Sequence, residues 1–233
     1  MKKAALLAAL LLSVPQLASA QGDDAPARPL LTVSAYTGAR APFTSAVSVF
    51  VPGGGYGARQ ERSGSALLGV DARLRVRGPI GVVGGGVYSR TGQLQYFVTD
   101  TILGQAPDWS TQSNDAMWFA KLGLSARFES PRSITDSRAR PATDLVAAAA
   151  VVREFDELYP ALNLGFQGSL PVAPRVEFML GLDDYLVFWD RDRLTPPIAS
   201  VVGRFETDLD RVVLNYSTSN IFQLRAGVSV HAW

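Results

Sequence analysis

The sequence predicts an all-β chain folded as an antiparallel up-and-down transmembrane β-barrel. It has eight strands, with ten as the alternative count, short periplasmic turns and long outer loops. Three observations predict this: an export signal, side-chain alternation of period two, and connectors that mostly alternate between tight and long. Composition agrees. At 47% hydrophobic and 18% charged residues, the 233-residue chain is too apolar to be disordered. With 22 Lys+Arg against 21 Asp+Glu it lacks the bulk positive charge that would draw nucleic acid. Cysteine is absent, which removes disulfides, thiolate metal sites, a cysteine nucleophile and an acylated cysteine anchor.

Residues 1–20 read as a secretory signal peptide. Met1-Lys2-Lys3 is a positive head, Ala4 to Leu12 is unbroken apolar chain, Pro15 interrupts it, and Ala18-Ser19-Ala20 precede a cleavage point before Gln21. The apolar run is about half the ~20 residues that span a bilayer as a helix. Removal of Lys2 and Lys3 leaves 20 basic and 21 acidic residues. Residues 21–29 form a short N-terminal segment, and 30–233 are the barrel domain. No later stretch is apolar and long enough for a spanning helix, so any membrane crossing uses strands.

Eight strands are expected, at 30–38, 64–77, 79–90, 115–128, 143–155, 160–171, 175–189 and 220–233. In the second, Ala66, Leu68, Val70, Ala72, Leu74 and Val76 oppose Gly69, Asp71, Arg73, Arg75 and Arg77, with Leu67 the apolar exception. In the fourth, Trp118, Leu122, Leu124 and Phe128 oppose Phe119, Lys121, Gly123, Ser125 and Arg127. The sixth sets Leu162, Leu164, Phe166 and Leu170 against Asn163, Gly165, Gln167 and Ser169. The eighth sets Phe222, Leu224, Val228 and Val230 against Gln223, Arg225, Gly227 and Ser229. A helix would scatter these residues around its axis. The fifth strand is ambiguous: Leu145 to Val152 is apolar throughout, and Asp144 could open a helix. An even strand count selects the strand.

Strands two and three meet across Gly78-Pro79, and six and seven across Val172-Ala173-Pro174. The first, second and last hairpins carry loops of about 25, 24 and 30 residues. Two connectors depart from the alternation: Glu129–Ala142 is long, and Asp156–Tyr159 is short. The first turn pairs Val76 with Ile80, Leu74 with Val82, Arg75 with Gly81 and Asp71 with Gly85. Glycine facing a long charged side chain suits a narrow lumen. The second turn pairs Phe166 with Leu180 and Gly168 with Phe178.

A soluble periplasmic β-sandwich that binds a ligand would also alternate. Export, a polar face rich in Gly and charge, and aromatics near strand ends (Tyr88, Trp118, Phe128, Phe188, Trp189, Phe222) favour the membrane. Val201–Glu206 and Arg211–Ser217 suggest strand pairs extending a hairpin above it.

From Leu30-Leu31-Thr32-Val33-Ser34-Ala35-Tyr36 to the last strand, Leu224 through Trp233, the chain resembles the small outer-membrane β-barrel superfamily, the OmpA- and OmpX-type barrels. The resemblance implies residence in the bacterial outer membrane, contact with its lipid, and assembly by machinery that reads a terminal aromatic residue. Trp233 matches that signal in kind but shares a face with His231, Ser229 and Arg225. Either a bulge near His231 resets the alternation or the signal is imperfect. Some small outer-membrane lipid A deacylases carry a His-x-Ser pair, whereas the single histidine here, His231, precedes Ala232-Trp233 at the expected periplasmic end.

No catalytic residue, cofactor or metal site is expected. The interior charges are read as structural: Asp71, Arg73, Arg75, Lys121, Glu177, Asp183, Arg225 and His231. Aligning Trp233 near Arg175 sets His231 beside Glu177 and Arg225 beside Asp183, as cross-strand opposite charges. Eight strands enclose little more than their own side chains, which favours a polar plug over an anion-preferring pore. Asp183, Asp184, Asp190 and Asp192 match no Ca²⁺ loop. Gly53-Gly54-Gly55 and Gly84-Gly85-Gly86 lack the context of a phosphate cradle. The expected function is structural or surface-interacting, without catalysis; a small solute conduit is the alternative, and the surface ligand is unknown.

Overall fold

Two-faced strands need a partner for each edge, and closing the sheet on itself supplies it. The computed structural model of the protein describes residues 30–51, 56–90, 94–100, 108–111, 116–130, 140–154, 156–190, 213–216 and 218–232. The expected signal peptide, the expected N-terminal segment 21–29 and Trp233 lie outside the described residues. The strands are β1 (Leu31–Arg40), β2 (Phe43–Val51), β3 (Tyr56–Arg62), β4 (Ser65–Arg77), β5 (Ile80–Ser89), β6 (Leu94–Asp100), β7 (Asp108–Thr111), β8 (Met117–Glu129), β9 (Ala142–Glu154), β10 (Glu157–Ala173), β11 (Val176–Phe188), β12 (Val213–Tyr216) and β13 (Thr218–Ala232).

Eight of them form a closed antiparallel barrel in the order β1-β13-β11-β10-β9-β8-β5-β4, with β4 returning to β1. These are the eight expected segments, so the count of ten is not adopted. The other five form a second sheet, β12-β2-β3-β6-β7, built from three long connectors at one end of the barrel. The expected hairpin between 201–206 and 211–217 needs correction in its second half. Val213–Tyr216 pairs with Val47–Phe50 of β2, and 201–206 lies outside the described residues. We call this end the loop end. The opposite end holds the Gly78-Pro79 and Pro174-Arg175 turns and both ends of the barrel sheet, and is the turn end.

Between β4 and β5 the expected pairing holds from Leu67↔Ser89 to Arg75↔Gly81, including Asp71↔Gly85. Val76 does not meet Ile80, because a bulge sets Arg77 opposite Ile80; Gly78, at φ 54°, supplies the left-handed turn residue. Between β10 and β11 the expected pairing is two residues short. Phe166 meets Leu182 and Gly168 meets Leu180, because β10 continues to Ala173 and the turn falls on Pro174-Arg175. A slip of two keeps every side chain on its own face, so inside and outside are unaffected. Likewise Glu177 lies directly opposite Ser229, and Gly181 opposite Arg225. The pairing of β13 with β1 runs regularly through His231 and Ala232, so no bulge resets the alternation there.

The Ala-rich segment is strand β9. Val146, Ala148 and Ala150 turn inward, and Ala147, Ala149 and Val151 turn outward. Its inward small residues lie opposite Lys121, Gly123 and Ser125 of β8, leaving the longer side chains room. Glycines do the same elsewhere: a Cβ at Gly85 would fall on the Asp71 carboxylate, and one at Gly69 on the Tyr36 ring. At the loop end β9 and β10 join tightly, with Asp156 at φ 61°, a left-handed conformation that Asp tolerates.

The outer wall is predominantly apolar. Leu68, Leu122, Leu124, Phe166, Leu180 and Leu224 are among its exposed residues, Leu122 being 66% exposed. Burying such a side chain is worth roughly 1.5–3 kcal/mol. A whole wall of them would be prohibitive in water and is natural in hydrocarbon. Tyr88 and Trp118 stack at 4.7 Å between centroids on adjacent strands near the loop end, as interface aromatics do. Trp189 is the exception among the six named aromatics. It is partly buried and packs against the buried apolar cluster inside the barrel. Leu122→Arg, at mid-wall, should reduce folding stability in lipid vesicles by ~2–4 kcal/mol. Urea titration of the vesicle-inserted protein measures this; an unchanged midpoint would show that the wall does not face lipid.

Candidate functional site

The lumen is stacked in tiers. Nearest the turn end, Asp144 bridges two guanidiniums: it accepts from Arg73 Nη1 and lies 3.4 Å from Arg127 Nη1. Arg127 Nη2 also donates to Glu177 Oε1. The same carboxylate oxygen is 2.9 Å from His231 Nε2, and His231 Nδ1 is 3.0 Å from Thr32 Oγ1 on the facing strand. Above this, Ser34 and Ser229 hydroxyls meet at 2.7 Å across β1 and β13.

The middle tier is a buried quartet. Arg225 Nη1 lies 2.5 Å from Asp71 Oδ2, and Arg225 Nε lies 3.0 Å from Asp183 Oδ2. Lys121 Nζ lies 3.1 Å from Asp71 and 3.5 Å from Asp183. Two cations thus face two carboxylates in alternation. Tyr36 donates its hydroxyl to Asp71 Oδ1 at 3.0 Å and offers its ring to the Arg225 guanidinium, 4.9 Å away. Asn163 Nδ2 donates to Asp183 Oδ1 at 3.3 Å. Arg225 and Asp183 are in effect fully removed from solvent. Each charge is therefore paired rather than left in a low-dielectric site alone.

Toward the loop end the interior turns apolar. Leu67, Val87, Met117, Phe119, Val152, Tyr159, Tyr185, Val187 and Ile221 pack together, with Phe119–Tyr185 at 4.9 Å and Tyr159–Trp189 at 4.8 Å between ring centroids. Trp189 Nε1 donates to Ser219 Oγ at 3.0 Å. At the rim Arg40 donates to the Ser89 and Ser65 hydroxyls and the Ser63 carbonyl.

Asp71, Arg73, Lys121, Glu177, Asp183, Arg225 and His231 thus all face one lumen. Arg75 shares their face but stops at the turn-end mouth, where no carboxylate pairs with it among the described residues. The pairs His231–Glu177 and Arg225–Asp183 form, but diagonally, because the strands are offset by two from the expected register. Asp183 and Asp184 point to opposite faces. Asp184 accepts from Asn220 Nδ2 at 3.3 Å on the outer wall, and Asp192 lies outside the described residues. Sequence reasoning passed over Asp144, which the parity of β9 already set on the face of Ala148 and Ala150. It also overlooked Tyr36 and the apolar cap, for which Leu67 and Phe119, apolar residues on the inward faces of their strands, were the visible clues.

Thr32, His231 and Glu177 stand in the hydrogen-bond order of a hydrolase triad. Glu177 is shared with Arg127, however, and the Thr32 hydroxyl is buried. The arrangement serves a cross-strand tie better than a nucleophile. Among the described residues no group of His, Asp and Glu is placed to hold a metal ion.

No family model matches the chain, and no curated protein sequence does. Among solved structures it is similar to Neisserial surface protein A, at 15% identity and TM-score 0.38, covering 87% of this chain and 97% of that one. It is also similar to the outer membrane protease OmpT from Escherichia coli, at 8% identity and TM-score 0.40, covering 87% and 96%. A third likeness is to Ail, the attachment invasion locus protein of Yersinia pestis, at 13% identity and TM-score 0.33, covering 85% and 97%. Likenesses of this size carry no functional argument. The architecture, that of a small eight-stranded barrel with an apolar outer wall, rests on the strand order and the inverted faces themselves.

Replacing Arg225 by Met leaves Lys121 alone against two buried carboxylates. We expect a stability loss of ~3–5 kcal/mol, the scale for a broken buried pair, in urea titration of vesicle-inserted protein. Adding Asp183→Leu should recover part of it, since Lys121 and Asp71 then balance. Equal stability of Arg225→Met and wild type would remove the quartet from any structural account.

Proposed function

We propose that the protein is a non-catalytic outer-membrane barrel that anchors a surface-exposed β-sheet for structural or interaction purposes. The turn end faces the periplasm and the loop end faces outward. The observation that carries this reading is the contrast between a lumen filled along its length and a loop end built up into a five-stranded sheet. A conduit needs a continuous wet path, and here an ion quartet and an aromatic cap lie in series across it. Three connectors share the sheet while the fourth, between β9 and β10, is a tight turn.

Outer-membrane lipid is the partner of the wall, and the outer-membrane assembly machinery, reading the terminal strand and Trp233, the partner during biogenesis. The identity of the surface ligand is not encoded in the lumen.

Bilayer recording and experiments in cells test this. Purified protein in planar bilayers should show no stable unitary conductance; reproducible steps would favour the solute conduit. In cells, the protein should fractionate with the outer membrane, migrate differently before and after heating, and be cut by external protease in the loop-end connectors. A soluble periplasmic form would overturn the reading.

A further inference from the structure

At the turn end a cavity opens between β1, β4, β5 and β8, lined by Thr32, Arg73, Arg75, Arg127, the Gly78–Gly81 turn segment and Leu30. Among the described residues its lining includes three arginines and no acidic residue. Asp144 and Glu177 sit behind Arg73 and Arg127 and hold them in place, so two of the three are already positioned before anything binds. Arg75 has no such partner among the described residues. Gly81, opposite Arg75, lets the strands approach closely beneath the cavity, since a Cβ there would press on the Leu74 carbonyl, the Ser125 hydroxyl and Arg73. Arginine side chains lining one space suit a tetrahedral or planar oxyanion better than a halide.

The outer lip of the same cavity is apolar. Leu30, Pro79 and Ile80 form it, and it continues onto Leu74, Val76 and Val82 of the outer wall. A free ion has no use for such a lip, whereas a phosphate carried on an acyl chain would lay that chain along it. We propose that this cavity is an oxyanion site for the phosphate group of an anionic lipid in the adjacent leaflet, with Arg75 as the main contact and Arg73 and Arg127 flanking it. The lipid source rests on the membrane reading above; the oxyanion chemistry rests on the cavity alone.

The mature full-length protein would be placed in nanodiscs of phosphatidylcholine with a minor fraction of phosphatidylglycerol, stripped stepwise of lipid and weighed by native mass spectrometry. Wild type should retain phosphatidylglycerol in preference to phosphatidylcholine. Arg75→Gln, checked for folding by heat-dependent gel mobility, should lower that retention roughly tenfold or more, as loss of one charge-assisted hydrogen bond predicts. In parallel, inorganic phosphate is titrated into the micellar protein while the Gly81 amide resonance is followed. A shift that Arg75→Gln abolishes, without lipid selectivity, assigns the site to a free oxyanion and overturns the lipid source. Folded Arg75→Gln protein that matches wild type in both arms overturns the site altogether. Failure of the wild type to insert into nanodiscs counts instead against the membrane reading, and the phosphate titration still decides whether the cavity binds an oxyanion.

Discussion

A sheet of eight strands closed on itself leaves almost no interior volume, and every inward side chain must find both space and a partner there. The rest of the structure depends on that constraint. It explains why glycine and alanine recur opposite the long side chains, as at Gly85 beside Asp71 and Ala150 beside Lys121. It also explains why the charges alternate in sign. Arg225 and Lys121 between Asp71 and Asp183 cancel locally, where an unpaired ion would cost several kcal/mol.

The same constraint divides labour along the barrel axis. The turn-end half is ionic, with Asp144 and Glu177 each serving two basic side chains. The loop-end half is aromatic and aliphatic, closed by rings rather than by charge. Polar ties reappear at the loop-end rim, where Arg40 meets serine hydroxyls and a backbone carbonyl. The lumen is thus filled by two chemistries in series. What the barrel then offers its surroundings is its two ends: a sheet standing off the loop end and an arginine-lined cleft at the turn end.

The fold was largely legible from residue order because period two carries the inside–outside decision one residue at a time. Leu68, Val70 and Leu74 outside, with Asp71 and Arg73 inside, could be assigned without knowing any neighbour. Even errors of register were harmless to that assignment. The β10–β11 and β11–β13 offsets were each wrong by two residues, and a shift of two returns every side chain to the same face. The site was less legible. Asp144 lay in a stretch whose uniform apolarity hid its parity. The sheet between β12 and β2 joins connectors more than 150 residues apart, which no local pattern announces.

By itself, then, the amino-acid order determined the barrel strands, the apolar outward wall and most of the inward charges, because each is a local property of composition or alternation. Only the closed structure decided which charge meets which, that a buried aromatic cap completes the plug, and that Arg75 is left facing an open cleft. Those outcomes depend on strand offset and on the width of the lumen. Both are set when the first strand pairs with the last, a contact that brings Leu31 opposite Ala232.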